Sequence, residues 1–166
     1  DEAVEVELHG GEVGVLRRDG TLRFVGTRAP GFAAMDDVKA MARGVTHRCV
    51  IARDGKVRCA AVGASTVDPI PAVRDAVSVS VGPSHACAAT DKGAVWCWDH
   101  AHGRVQRVPN VGAAAQVAIG SVVGCALTTD GAVKCFSLES ISRPATDMGH
   151  ADRISVGDAG FGSAVP

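Results

Sequence analysis

The chain has 166 residues, 46% hydrophobic and 21% charged, which is the composition of a folded globular protein rather than a disordered one. A net charge of −1 gives no electrostatic ground for nucleic acid or an acidic membrane as partner, and no run of about 18 apolar residues is present to span a bilayer. The opening DEAVEVELHG lacks a basic and then apolar leader, so either the chain was never targeted or a signal peptide is already gone.

In chain order, a first unit begins with the alternating Val4, Val6 and Leu8, continues over Glu12 to Leu16, turns at Arg18-Asp19-Gly20 and returns over Thr21 to Val25. Residues 27–37 read as a connector containing Pro30 and Gly31. A second copy covers Val38 to Cys59 around the turn Arg53-Asp54-Gly55, and Ala60 to Asp75 leads back through Pro69 and Pro71. The third copy, VSVSVGPSHACAATDKGAVWCW from Val77 to Trp98, is the most regular. Val77, Val79 and Val81 end at Gly82, His85 to Thr90 follow, Asp91-Lys92-Gly93 turn, and Ala94 to Trp98 return. Residues 99–114 close the unit through Val105, Val108 and Pro109. A fourth copy runs from Gln116 to Phe136 around Thr129-Asp130-Gly131 and returns through Ile141 and Pro144. A fifth starts at Arg153 and reaches Val165.

Alternation with period two, broken by Gly-ending turns, predicts antiparallel hairpins rather than helices. The turn-entry glycines Gly44, Gly82, Gly120 and Gly157 recur about every 37–38 residues, with His9 in the equivalent place of the first copy. Pro30, Pro71, Pro109 and Pro144 recur at one point in the unit, which suits an outer edge strand or connector where no ladder donor is needed. Each copy offers three clear strands and a weaker fourth. The expectation is an all-β propeller-type protein of four-stranded antiparallel blades. It is read as one repeat domain over 1–166, with repeats at roughly 1–37, 38–75, 76–114 and 115–151 and a partial one at 152–166.

The cysteines occur in pairs placed symmetrically about the turns, so each pair sits opposite in a hairpin. Opposed residues in a non-hydrogen-bonded antiparallel pair have Cβ atoms about 4.5–5.5 Å apart, close to what a disulfide needs. The repeat symmetry therefore selects Cys49–Cys59, Cys87–Cys97 and Cys125–Cys135 among the pairings that six cysteines allow. Such bonds persist in oxidising compartments, which implies a secreted, periplasmic or cell-surface protein. Free buried thiols in a cytosolic core are the alternative. In the first copy, Gly14 and Phe24 occupy the two cysteine positions. The nine-residue spacing also resembles the paired motif of small helical-hairpin proteins, but a Gly-ending turn interrupts each interval. Zinc would want closely spaced pairs such as Cys-x2-Cys, and none occurs.

The unit resembles the regulator-of-chromosome-condensation repeat. The matching residues are Val79-x-Val81-Gly82-x-x-His85-x-Cys87-Ala88, then Gly93-x-Val95-x-Cys97-Trp98, and Gly120 to Cys135 with Ala126-Leu127 and Asp130-Gly131. The family's Trp-Gly pair is Trp98-Asp99 in the third copy, Phe136-Ser137 in the fourth and Ala60-Ala61 in the second. The resemblance implies a ring that usually carries seven blades, whereas about four and a half are present here. Open blade ends are expected to pair with another chain, another copy or blades outside this sequence. The resemblance further implies protein–protein interaction, with no residues carried over for exchange-factor or histone-binding roles. The paired cysteines point to the secreted, bacterial branch, and the wealth of Ala, Gly and Val, with Arg over Lys, suits a GC-rich bacterial source.

Residues able to carry chemistry do not converge. His47 and His85 share one repeat position, which reads as packing or hydrogen bonding, and His9 reads as a substituted turn residue. Asp99-His100-Ala101-His102 would place His100 and His102 on one strand face, where a transition metal could bind, but no third ligand accompanies them and a polar turn is the simpler reading. His150 stands alone. Ser84 beside His85 lacks an oriented acid, Gly157 to Gly162 lack a phosphate-loop context, and Asp36-Asp37 read as a solvated face, as do Arg104 and Arg107. No catalytic, cofactor-binding or metal-binding residue is assigned, and no cofactor is expected. The function expected is non-enzymatic protein binding by the propeller's loops at the cell envelope or outside the cell. Carbohydrate binding is the alternative class. There Trp98 fills the repeat's structural position and leaves Trp96, read as facing the other way, as the one spare large ring.

Overall fold

The structure is a computed structural model and describes residues 2–9, 12–26, 34–156 and 162–165. Pro30, Gly31 and Gly157 lie outside the described residues, as do the first copy's turn at 10–11 and most of the Gly157 to Gly162 stretch. The β-branched alternation folds as the meanders it predicts. Blade 1 consists of β1 (Ala3–His9), β2 (Glu12–Arg17), β3 (Leu22–Val25) and β4 (Ala34–Met35). Blade 2 is built from β5 (Val38–Arg43), β6 (His47–Ala52), β7 (Val57–Ala61) and β8 (Asp68–Pro69). Blade 3 contains β9 (Ala76–Val81), β10 (His85–Thr90), β11 (Val95–Asp99) and β12 (Val105–Arg107). Blade 4 comprises β13 (Ala114–Ile119), β14 (Val123–Thr128), β15 (Ala132–Ser137) and β16 (Thr146–His150). A two-stranded half-blade, β17 (Arg153–Val156) and β18 (Gly162–Val165), follows. Every neighbouring pair within a blade is antiparallel, and no helix occurs among the described residues. The supposed connector at 27–37 thus ends in a short outer strand, β4. The prolines flank or end outer strands: Pro69 closes β8, Pro71 and Pro109 follow β8 and β12, and Pro144 precedes β16.

Each blade has a direction. In blade 3 the even and odd positions of β10 split between two clusters, as alternation requires. Ala86 and Ala88, with Trp98, pack back onto Cys49, Ile51, Val57 and Cys59 of blade 2. Cys87, Ala89, Val95 and Cys97 pack forward onto Val117, Ile119, Ala126 and Phe136 of blade 4. Blade 4 repeats the rule by presenting Cys125, Leu127 and Val133 to Ile154 of the half-blade. In blade 1, Leu16, Leu22 and Phe24 face forward onto Met41, Val50 and Ala60. The first strands lie side by side, β5 by β9, β9 by β13 and β13 by β17. Their edges are joined by side chains: Ser78 and Ser80 accept from the Val117 and Ile119 amides, and Glu5 accepts from the Met41 amide. That edge pairing satisfies backbone donors a sheet edge would otherwise leave open.

The Asp-Gly turn does a second job, which explains its recurrence. Beyond closing its hairpin, it clasps the start of the next blade: the Val38 amide donates to the Gly20 carbonyl and the Ala76 amide to the Gly55 carbonyl. The Ala114 amide likewise donates to Gly93. At Gly93 φ is +75°, and a Cβ there would stand 2.5 Å from the Ala113 Cα. Only glycine meets both demands.

Blade 1 leaves its backward face uncovered. Val4 and Val6 are 53% and 55% exposed, Val25 more so, and Val13 and Val15 share that face.

Candidate functional site

The loops entering the second strand of blades 2, 3 and 4 form a continuous row on one end of the blades. Residues 44–46, 82–84 and 120–122 stack through their backbones, and a Cβ on Gly82 would come within 2.5 Å of the Gly120 carbonyl oxygen. Side chains stitch the row: Thr46 Oγ1 donates to the Pro83 carbonyl at 3.1 Å, and Ser84 Oγ reaches the Ser121 carbonyl at 3.5 Å. Val45 and Val122 project from it, 54% and 45% exposed, and Val62 lies exposed beside them on the loop after β7.

Three imidazoles sit against this row. His47 and His85 open β6 and β10, and His100 follows β11. His47 Nδ1 is 3.1 Å from Thr46 Oγ1 and His85 Nδ1 is 2.9 Å from Ser84 Oγ. Each hydroxyl thus bridges an imidazole and a carbonyl of the next blade. His100 Nε2 donates to the Gly82 carbonyl at 3.1 Å, and its ring stacks on that of His47 with centroids 3.8 Å apart and planes 8° from parallel. All three pKa values lie below the ordinary imidazole value. Burial lowers His47; burial lowers His85 against the opposing pull of Asp99. Burial lowers His100 most, the Gly82 carbonyl opposes it, and the other two imidazoles push the same way as burial.

His100 and His102 do not share a strand face. They stand in the turn after β11, with His100 turned onto His47 and His102 outward beside Asp99. Asp99 organises that turn by accepting from the His102 and Arg104 amides, and these bonds outweigh burial to hold its carboxyl low. Stacked rings direct their lone pairs in parallel planes, so His47 and His100 cannot converge on one ion, and no metal-holding group of three such residues occurs among the described residues. Ser84 Oγ sits beside His85 Nδ1, while Asp99 accepts from the His102 and Arg104 amides. Asp36 and Asp37, with Arg53, Asp54 and Arg58, line a shallow depression at the opposite end of the blades. Around it Asp36 pairs with Arg23, Asp54 pairs with Lys56, and Arg53 Nη2 donates to the Arg18 carbonyl.

The three cysteine pairs are joined in the hairpins, Cys49–Cys59, Cys87–Cys97 and Cys125–Cys135, directly opposite in register with Cα atoms 4.0–4.1 Å apart. Trp96 corrects the reading of a spare ring. Residues two apart on a strand share a face, so Trp96 lies on the same side as Trp98 and is half-buried against the blade 2 cluster. Sequence reasoning missed Arg48, almost fully buried in β6. Its one signal was Ala60 opposite, a small residue where the third and fourth copies have Trp98 and Phe136.

Meanders of this kind, packed face to face about aligned first strands, define a β-propeller repeat protein. Residues 76–98 match the Regulator of chromosome condensation (RCC1) repeat. The fold is that of the RCC1 propellers. Human WBSCR16 superposes with a TM-score of 0.75 at 12% identity over 94% of this chain and 56% of its own. Yeast RCC1 (Prp20), crystallised bound to Kap60, gives 0.69 at 13% identity over 94% and 52%. The CRINKLY WD40 ectodomain of the Arabidopsis thaliana receptor kinase ACR4 gives 0.62 at 14% over 99% and 66%. The chain therefore spans about half to two thirds of the structures it is similar to, and at these identities the likeness concerns the fold. No curated protein matches the chain significantly by sequence.

Proposed function

We propose that residues 1–166 form one repeat domain, non-enzymatic, that binds another protein through its loops in an oxidising compartment outside the cytosol, secreted or at the cell envelope. The observation that carries the binding face is the loop row 44–46, 82–84 and 120–122. It offers exposed Val45 and Val122 with no fixed charge of its own, whereas the opposite end carries the charged turns Arg53-Asp54, Asp91-Lys92 and Asp130. Apolar side chains held on rigid backbone suit a protein partner. Structures of similar fold support the class: yeast RCC1 is bound to Kap60, a second report on Prp20p concerns its binding to Gsp1p and histones, and the ACR4 domain is an ectodomain. The three disulfides support the compartment. The uncovered valines of blade 1 and the two-stranded β17–β18 support pairing with a further blade, from a companion chain, a second copy or a longer form of this protein.

The test places a photocrosslinking residue at Val45 or, as control, at Lys92, and exposes the chain to envelope and culture fractions of its source. A defined protein captured from Val45 and not from Lys92, and lost in Val122→Asp, is the expected result. Equal labelling from both positions overturns the assignment. Intact mass before and after reduction, with light scattering on the unreduced chain, reads the oxidation state and the assembly in the same sample.

A further inference from the structure

We propose that the His47–His100 stack is a proton-operated latch. At neutral pH it holds the 99–104 turn of blade 3 against blade 2, and it lets that turn go in mildly acidic solution. The proposal rests on the stack and its surroundings alone, and stands or falls separately from protein binding.

The position of His100 shows how unusual the arrangement is within the repeat. The His100 amide donates to the Ser84 carbonyl, as Val62 donates to Thr46 and Leu138 to Val122, so the three residues are equivalent. Blades 2 and 4 place an aliphatic side chain there, and Leu138 is buried in the core between blades 3 and 4. Blade 3 places an ionisable ring and lays it flat on a second one. Two neutral rings at 3.8 Å gain contact and cost nothing in charge. One proton added to the pair puts a cation into a half-buried site, and two set like charges against each other.

Little nearby would absorb that charge. His85 is a third imidazole and repels it. Among the described residues Asp99 is the carboxylate whose charge acts on the cluster, and its oxygens accept from the His102 and Arg104 amides. On the turn itself, His102 and Arg104 are basic. On the strands of blade 2, the charged neighbours are Arg43 at the end of β5 and Arg48, whose guanidinium lies on the blade 1 side over Phe24. The Gly82 carbonyl accepts from His100 Nε2 and favours the cation only in part. The sign follows. With imidazole pKa values lowered by folding, the stabilisation is present above about pH 6.5 and is lost as pH falls through it.

The measurement is hydrogen exchange of the full oxidised chain at the His100 and Gly103 amides, bonded to Ser84 and Asp99, at about pH 7.5 and 5.5 with intrinsic rates corrected. Protection is expected to fall several-fold at the lower pH. NMR titration should give His47 and His100 midpoints below about 6.5. His100→Leu, the side chain blade 4 already uses, should keep protection at both pH values. Unchanged protection in the wild-type chain, midpoints at or above about 6.5, or an equal acid response in His100→Leu would each overturn the latch.

Discussion

The guanidinium carbon of Arg48 lies 4.5 Å from the centre of the Phe24 ring, across the boundary between blades 1 and 2. Both residues depart from the repeat, and the departures compensate. Phe24 faces Gly14 where the other blades have a disulfide, so one ring fills the space of two cysteines. Arg48 faces Ala60 where blades 3 and 4 have Ala86 with Trp98 and Gly124 with Phe136. The bulk has moved from the third strand to the second, and its charged end has found the ring. Substituting Phe24→Leu and Arg48→Met singly and together should reveal a coupling of about 1–2 kcal/mol in denaturant unfolding. Additive effects would show that the two merely adjoin.

The disulfides differ in access. Cys49, Cys87 and Cys97 are fully buried between blades, whereas Cys135 is only half-buried under the half-blade. Mild reductant followed by alkylation and mass analysis should open Cys125–Cys135 first. Replacing Cys87 and Cys97 together by Ala should cost about 2–3 kcal/mol, the value of a short closed loop. A neutral double variant would mean that the thiols pack as well unbonded.

Two glycines of equal backbone class should respond unequally to alanine. Gly93 has φ +75° and the Ala113 backbone against it, while Gly103 has φ +63° and open space. Gly103→Ala is expected to cost about 1 kcal/mol from conformation alone, and Gly93→Ala several-fold more because the next blade must shift. Thermal unfolding of the two variants side by side decides it.

Asp99 should matter for its turn and little for the core. Asp99→Ala removes acceptors from the His102 and Arg104 amides, a loss of about 1–2 kcal/mol. Faster amide exchange confined to 100–104 is the expected result. Slower unfolding, or exchange spread over blade 3, would contradict it.

What the sequence made legible was the inside of each blade. Period-two alternation and Asp-Gly turns report pairing between adjacent strands, so the cysteine register and the four-strand units could be read without coordinates. What lay between blades was hidden. His47 meets His100, and Phe24 meets Arg48, because faces of successive sheets pack together, and no local periodicity encodes which side chain fills which gap. The error over Trp96 was of a different kind, since its place two residues before Trp98 already put both on one face. His100 was unreadable for a simpler reason: a turn histidine looks polar until the neighbouring blade is beside it.

Because each disulfide ties strands within a blade and none ties one blade to the next, the staples and the load path are separate. Pulled from its two ends, the chain would part at blade boundaries, where side-chain packing, side-chain hydrogen bonds and the turn clasps resist without a covalent tie. Each bond then keeps ten residue steps, about 35 Å at full extension, from paying out. Blade 1, stapled by nothing stronger than Phe24 over Gly14, would unravel to its full length, so the molecule is mechanically uneven, soft at its first blade and short-tethered through the next three.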